Sequence, residues 1–215
     1  MLFAHRCPVC ARPGPAPCQA CIDGLDPSPR RPPPRGLDRL ASPFAYVGGG
    51  RELVARLKYR NARAAVPWLA AAMAGVIDAG GLQAVTWVPT TTRRRRGRGF
   101  DQAEVLARAV AKHLGLPCLG LLRRSPGPPQ TGRPLAERRA GPRLRVRRPV
   151  PAAVLVVDDV VTSGATLAAA ALALRGAGAT RVDGVTAAST PLKLPPSVVE
   201  RGSNGTGEGR QPHAS

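Results

Sequence analysis

A mainly parallel α/β sheet flanked by helices, with a small four-cysteine segment ahead of it, is the architecture this sequence predicts. Three observations carry the prediction. Residues 154–166 run Val-Leu-Val-Val-Asp-Asp-Val-Val-Thr-Ser-Gly-Ala-Thr, an apolar strand that ends on two acids and turns through small residues into an Ala/Leu helix, Leu167 to Leu174. A second strand–loop–helix unit begins at Ala84. Four cysteines stand in two Cys-x2-Cys pairs near the amino terminus. Strands alternating with helices favour parallel pairing, because the crossover helix returns each strand in the same direction.

In chain order, Cys7, Cys10, Cys18 and Cys21 come first, the two pairs separated by seven residues that include three prolines and a glycine. Four thiolates can close a tetrahedron around one zinc ion at ~2.3 Å per bond, and so short a segment needs a metal for its folding energy. Disulfides and redox-active dithiols are the alternatives. Disulfides suit a reducing compartment poorly, and a redox Cys-x-x-Cys normally stands alone at a helix start, so structural zinc is the preferred reading. His5 could replace one ligand, and Cys118, alone in an apolar run, reads as a core residue. We divide the chain into a zinc segment (1–24), a proline- and arginine-rich linker or surface strap (25–42), the α/β domain (43–194) and a polar, Gly-rich, disordered tail (195–215).

Within the domain, Phe44–Val47 reads as a short strand, Arg51–Tyr59 as a helix ending on Lys58-Tyr59, and Trp68–Ile77 as a helix after Pro67. Ala84–Val88 is a strand closed by Pro89. The loop Thr90–Phe100, with Arg93, Arg94, Arg95, Arg96, Arg98, Gly97 and Gly99, then leads to a helix capped by Asp101. Leu106, Ala109, Val110, His113 and Leu114 share one face of that helix, which makes His113 a core or boundary residue; Gly115 and Pro117 end it. Leu119–Leu122 is a strand candidate, and Arg123–Pro149 is long enough for a lid or a disordered segment. Ala152–Val157 is the acidic strand and Thr180–Ser189 the last one.

The acidic strand carries the chemistry. Successive side chains point to opposite faces, so Asp158 and Asp159 cannot both leave the core by alternation. Like charges side by side need hydroxyls, a metal or cations to meet them. At the carboxyl end of a strand in an open sheet a ligand can do so. The turn Thr162-Ser163-Gly164-Ala165-Thr166 offers backbone N–H groups and hydroxyls at a helix N-terminus, a place for phosphate. Together they suit a phosphorylated sugar: carboxylates for its hydroxyls, a loop for its phosphate. The arginine loop Thr90–Gly99, at the same end of the sheet, would offer guanidinium and N–H groups to a pyrophosphate, or equally lie solvated or on nucleic acid. Neither a Walker A pattern nor a Gly-x-Gly-x-x-Gly run is present, so ordinary NTP and dinucleotide sites are not supported.

Composition sets the outer bounds. The 215 residues are 43% apolar, enough for a core, and carry a net charge of +19 from 32 basic residues, only three of them lysine. Such a charge draws polyanions. The Arg, Ala, Gly and Pro bias also suits a G+C-rich coding sequence, and the two explanations stand side by side. No apolar run reaches the ~20 residues of a bilayer span, since Ala64–Ile77 holds Pro67 and Gly75. No signal-peptide arrangement opens the chain, which makes a cytoplasmic protein the default.

Residues 154–166 closely resemble the phosphoribosyl pyrophosphate (PRPP) signature of type I phosphoribosyltransferases. To about residue 190 the chain resembles the ComF family, in which a zinc-ribbon-like head precedes a phosphoribosyltransferase domain. The resemblance is carried by the order and spacing of the Cys-x2-Cys pair, Leu57-Lys58-Tyr59, Trp87-Val88-Pro89, Arg98-Gly99-Phe100-Asp101-Gln102-Ala103, Leu122-Arg123, Gln130, Arg138-Arg139 and the acidic strand. It implies a type I phosphoribosyltransferase-like fold with PRPP and Mg²⁺ as ligands. Asp158 and Asp159 would be the catalytic pair holding the ribose hydroxyls, and Val161, Thr162, Ser163, Gly164, Ala165 and Thr166 would wrap the 5-phosphate. Thr90, Arg98 and Gly99 fall on the pyrophosphate side. It also implies an association with DNA uptake in competence, with single-stranded DNA and a DNA-uptake helicase as partners. The chain departs from the family at Asp101, where Asn is usual, and at Gly141-Pro142-Arg143, where an Asn usually follows the lid arginines. Two functions follow: phosphoribosyl transfer to an unidentified acceptor, or non-catalytic binding of single-stranded DNA on the same fold.

Overall fold

Strand β6 (Ala153–Val161) organises the molecule. In the computed structural model, which describes residues 6–57, 60–91, 99–125 and 141–191, it is paired in parallel on both edges. One neighbour is β3 (Ala84–Trp87), with Val85 opposite Leu155; the other is β7 (Arg181–Ser189), with Val185 opposite Val157. On the far edge of β7 lie β1 (Arg39–Ala41) and β2 (Phe44–Ala45), two pieces of one parallel edge strand interrupted at Ser42-Pro43. Proline has no N–H to give the ladder, which accounts for the break. The sheet order is therefore β1/β2–β7–β6–β3, all parallel. The predicted architecture, a mainly parallel sheet flanked by helices behind a four-cysteine segment, is the one observed.

Alternation along β6 divides the core in two. Leu155 and Val157, with Val85 and Val185, face α2 (Gly48–Arg56), α3 (Val66–Ala74) and α4 (Gln102–Leu114). Val154 and Val156, with Val182, face α5 (Ala165–Arg175) and the small ribbon described below. A strand buried on both faces must be continuously apolar, and residues 153–157 are. Asp101 caps α4 by accepting from the Ala103 N–H at 3.2 Å, and Gly115 ends it in the left-handed conformation.

Several expectations need correction. The acidic strand does not stop at Val157: ladder pairing continues through Val160↔Ala188 and Val161↔Ser189, so both acids lie inside β6. The strand expected at Leu119–Leu122 is shifted to β4 (Leu122–Arg124), which pairs antiparallel with β5 (Leu144–Val146). The long loop expected from Arg123 to Pro149 thus has its two ends zipped into a ribbon. The strand expected over Phe44–Val47 is the two-residue β2, and the helix expected over Arg51–Tyr59 begins earlier, at Gly48, and ends at Arg56. His113 is exposed in the last turn of α4, and Ala107 and Ala111 take the core face instead, because small residues allow α4 to lie close to β3 and β6. Cys118 is half-buried and bridges to Val85, close to its expected role. The segment 25–42 contains β1 and the buried Leu37, and Asp38 joins it to the end of α5 by a bidentate ion pair with Arg175 (2.7 and 2.6 Å). His5, Lys58-Tyr59, Arg93–Arg98, Gln130, Arg138-Arg139 and the tail from Pro195 lie outside the described residues.

Among the described residues no helix is long and apolar enough to cross a membrane.

Candidate functional site

At the carboxyl end of the sheet, β6 carries its two acids side by side. The Asp158 carboxylate accepts the Asp159 N–H at 2.9 Å, and the Asp159 carboxylate accepts the Val160 N–H at 2.7 Å. Burial, followed by the neighbouring Asp159 carboxylate, pushes the Asp158 carboxyl well above its ordinary range. The Asp159 N–H and the charge of Arg124 oppose that shift, while Asp101 adds to it. Asp159, Arg124 and Asp101 are thus the charged groups near Asp158.

The neighbouring wall comes from the end of β3. Val88 N–H donates to Val157 O at 3.0 Å, which keeps the chain beside β6 until Pro89. The Thr90 N–H then donates to Asp101 Oδ2 at 2.8 Å, so the loop 90–101 is closed at its neck by the same carboxylate that caps α4. Asp101 is 5% exposed, and burial pushes its carboxyl up against the pull of these N–H groups. Gly99, at φ +75°, makes the last turn before the helix, and the Phe100 ring beside it lies 4.3 Å under the Arg63 guanidinium. From the ribbon, Arg124 Nε donates to Pro89 O at 2.6 Å, placing a cation near Asp158.

The third wall is the turn after β6. Val161 is buried, Thr162 and Ser163 are exposed, and Gly164 adopts φ +78° before α5 begins at Ala165. Ser163 Oγ accepts the Ala165 N–H at 3.4 Å. Among the described residues the N–H groups of Thr162, Ser163 and Gly164 have no acceptor, which leaves three consecutive donors at a helix N-terminus. A Cβ on Gly164 would stand 2.5 Å from Pro34 Cγ, so the proline strap passes directly over this turn. Across the turn, a Cβ on Gly141 would overlap the Ala165 carbonyl. The structure therefore brings Asp158, Asp159, Thr90 and the turn Val161–Thr166 to one end of the sheet, with Gly99 at the head of α4. Arg98 lies outside the described residues. Sequence reasoning did not select Asp101 and Arg124 as site residues. The alternation Leu122–Arg124 on one strand face could have flagged the second.

The four cysteines form a second centre. Their sulfurs all lie within 4.8 Å of one another, and Cys10 Sγ and Cys18 Sγ are 3.7 Å apart. A tetrahedron of ~2.3 Å metal–sulfur bonds has edges of about 3.8 Å, so the donor set fits zinc. No pair is joined as a disulfide. Burial of Cys7 would raise its thiol, but N–H groups of Cys10, Cys18 and Val9 outweigh it and bring the group down to about 6. Burial and the three neighbouring sulfurs push Cys21 up to about 12, so a cation is needed before all four can be thiolates together. Val9 and Leu25 anchor the segment against the core beside Gly49.

No family model matches the chain, nor does any curated protein. A solved structure described as the allosteric regulatory enzyme of purine biosynthesis is similar at 24% identity and a TM-score of 0.39 over 65% of this chain. The chain spans about a quarter of that protein's length, 27%.

Two outcomes follow from this geometry. Protein purified under reducing conditions should carry about one equivalent of zinc by metal analysis, and Cys18→Ser should abolish stoichiometric binding. A pair of disulfides in the purified wild type would contradict the metal centre. Asp158, with its pKa raised by folding, holds a proton more tightly folded than unfolded. Its contribution to stability is present below the ordinary carboxyl range and is lost as pH rises through the folded pKa. Asp158→Asn should therefore melt higher than wild type near pH 7, and the difference should shrink as pH falls toward 4.

Proposed function

We propose that this chain is a ComF-like protein of type I phosphoribosyltransferase-like fold that binds PRPP with Mg²⁺ at the carboxyl end of its sheet. One observation carries the reading: two crowded carboxylates and three unpaired N–H donors stand at the two ends of the short segment Asp158–Gly164. A ribose 5-phosphate carries both kinds of group, hydroxyls for the carboxylates and a phosphate for the N–H donors. Asp158 and Asp159 would accept from the 2- and 3-hydroxyls, which also relieves their mutual repulsion. Val161, Thr162, Ser163, Gly164, Ala165 and Thr166 would hold the 5-phosphate through backbone N–H and hydroxyl groups. Thr90, Gly99 and Arg98 would face the pyrophosphate.

Phosphoribosyl transfer would then proceed by loss of pyrophosphate from C1, with positioning and charge neutralisation as the main contributions. Mg²⁺ would enter with the pyrophosphate and supply part of that neutralisation, and Asp158 and Asp159 are the anionic groups here that fit it. The four cysteines would hold structural zinc in a reducing, cytoplasmic setting. We assign the chain a zinc segment (1–24), a strap (25–42) and the ligand-binding domain (43–194). Calorimetric titration of the zinc-loaded protein with PRPP and Mg²⁺ tests the site. Saturable binding should weaken by about 100-fold or more in Asp158→Asn/Asp159→Asn, since each carboxylate acceptor contributes about 1.5–3 kcal/mol. Absence of binding by folded wild type would overturn the reading.

The ribbon favours a second reading, single-stranded DNA binding in an uptake machine with a helicase partner. Arg123 lies directly opposite Arg145 across β4–β5, and Arg143 and Arg147 alternate along the same exposed side. None has an acidic partner among the described residues. Like charges facing across a ladder are unfavourable, and a polyanion would relieve them. Binding of an oligonucleotide should fall steeply with salt. Arg123→Gln/Arg145→Gln should reduce the slope of log K against log salt by about 1.4, the loss of two single-strand phosphate contacts. An unchanged slope would remove the ribbon from any such interface.

A further inference from the structure

Arg31 is a partly buried cation with no carboxylate partner among the described residues. Its Nη1 donates to the Val161 carbonyl at 3.3 Å and its Nη2 to the Thr162 carbonyl at 2.7 Å, across 130 residues of chain. Its Nε is buried and has no partner among the described residues, and no carboxylate pairs with it there. Arginine is spent here on two neutral backbone oxygens, an arrangement that only its planar fork can make at once.

The two acceptors are the carbonyl halves of the peptide groups whose N–H halves belong to Thr162 and Ser163. In a trans peptide the C=O and the following N–H point in opposite directions. The Val161 oxygen also accepts the Thr190 N–H at 2.9 Å, so the guanidinium shares that plane with the strand end and holds the Thr162 plane itself; both N–H groups are thereby turned away from Arg31, where no acceptor among the described residues meets them. A cation on the oxygen also polarises the amide and strengthens its N–H as a donor. Pro34, against Gly164, closes the strap side of the same turn and leaves no room for the chain to flip toward it. Prolines 29, 32, 33 and 34 stiffen the strap, and its far end is fixed where Asp38 meets Arg175 and the Val182 N–H.

We infer that Arg31 is a positioning residue for a phosphate monoester: it sets the peptide planes of 161–163 so that the Thr162 and Ser163 N–H groups face the phosphate, and it supplies the positive charge behind them. This inference rests on the sugar-phosphate reading of the turn. It goes beyond that reading in assigning a role to a residue of the strap, outside the motif. The preference it creates is for a dianionic phosphate over a neutral hydroxyl at that position.

The test compares wild type, Arg31→Ala, Arg31→Lys and Arg31→Gln, with Arg30→Ala, an exposed neighbour in the strap, as control. ¹⁵N relaxation reads the order of the Thr162 and Ser163 amides without ligand, and calorimetry reads ribose 5-phosphate and Mg²⁺-pyrophosphate separately. Wild-type order parameters should lie near about 0.85 and fall below about 0.6 in Arg31→Ala. Ribose 5-phosphate should bind about tenfold more weakly to that variant, equal to the loss of about 1.4 kcal/mol, while pyrophosphate binding is retained. Arg31→Lys, which keeps the charge, and Arg31→Gln, which keeps one donor, should both fall between; either serves if Arg31→Ala fails to fold. Equal ribose 5-phosphate affinity in wild type and the Arg31 variants overturns the role of Arg31 while leaving the sugar-phosphate site standing. Parallel loss of both ligands also overturns it, since that reports general damage. A wild type that binds neither compound overturns the sugar-phosphate reading and the ligand assigned to Arg31 with it.

Discussion

Hydrogen-bonded along both edges and packed on both faces, β6 gives no side chain to water from Val154 to Val157, and the strand becomes polar where β3 stops pairing with it. That change happens within one residue, at Asp158. The ladder runs on to Val161, so the acids are held by a rigid strand and not by a loop. A charged pair placed this way is poorly solvated, and the neighbouring elements answer it: Arg124 arrives from the ribbon, and the strand-end amides turn onto the carboxylates. Asp101, by contrast, adds to the burden and is itself held by the Thr90 and Ala103 N–H groups. The acids at the end of β6 are thus crowded by burial and by each other, and their neighbours only partly offset it.

Much of this was legible in the sequence because local and global signals agree. The run Val154–Val157 is too apolar for a half-exposed strand, and the Thr-Ser-Gly turn with the Ala/Leu run after it sets the helix that follows. The four cysteines were legible for another reason, since spacing alone limits how thiolates can converge. What sequence reasoning missed depends on pairing between distant segments. β1 is too short to register by periodicity and exists because β7 offers an unpaired edge. The ribbon pairs Leu122 with Val146 through side chains that read as basic loop. His113 was placed on the core face because it keeps helical spacing with Ala109 and Val110, but the close approach of α4 to the sheet favours Ala107 and Ala111.

The strap has the least regular sequence among the described segments and some of the most consequential contacts. Its prolines exclude helix, its arginines suggest solvent, and nothing in its composition marks Arg31 apart from Arg30 or Arg35. Only the structure distinguishes them: Arg31 turns inward to the Val161 and Thr162 carbonyls, and Asp38 meets both Arg175 and the start of β7. An irregular segment can be as firmly placed as a strand when side chains replace the ladder.

The parallel pairing of β1 and β2 with β7 bears on how the chain is made. Ser42 and Thr186, hydroxyl to hydroxyl at 2.6 Å, are 144 residues apart. As the protein leaves the ribosome, the edge strand formed by β1 and β2 must wait for its place in the sheet until β7 has emerged. Loop closure over that span is slow compared with the local α/β units. The first part of the sheet to be synthesised is therefore among the last to be secured, and a chain stalled before β7 would have an edge strand with no sheet to join.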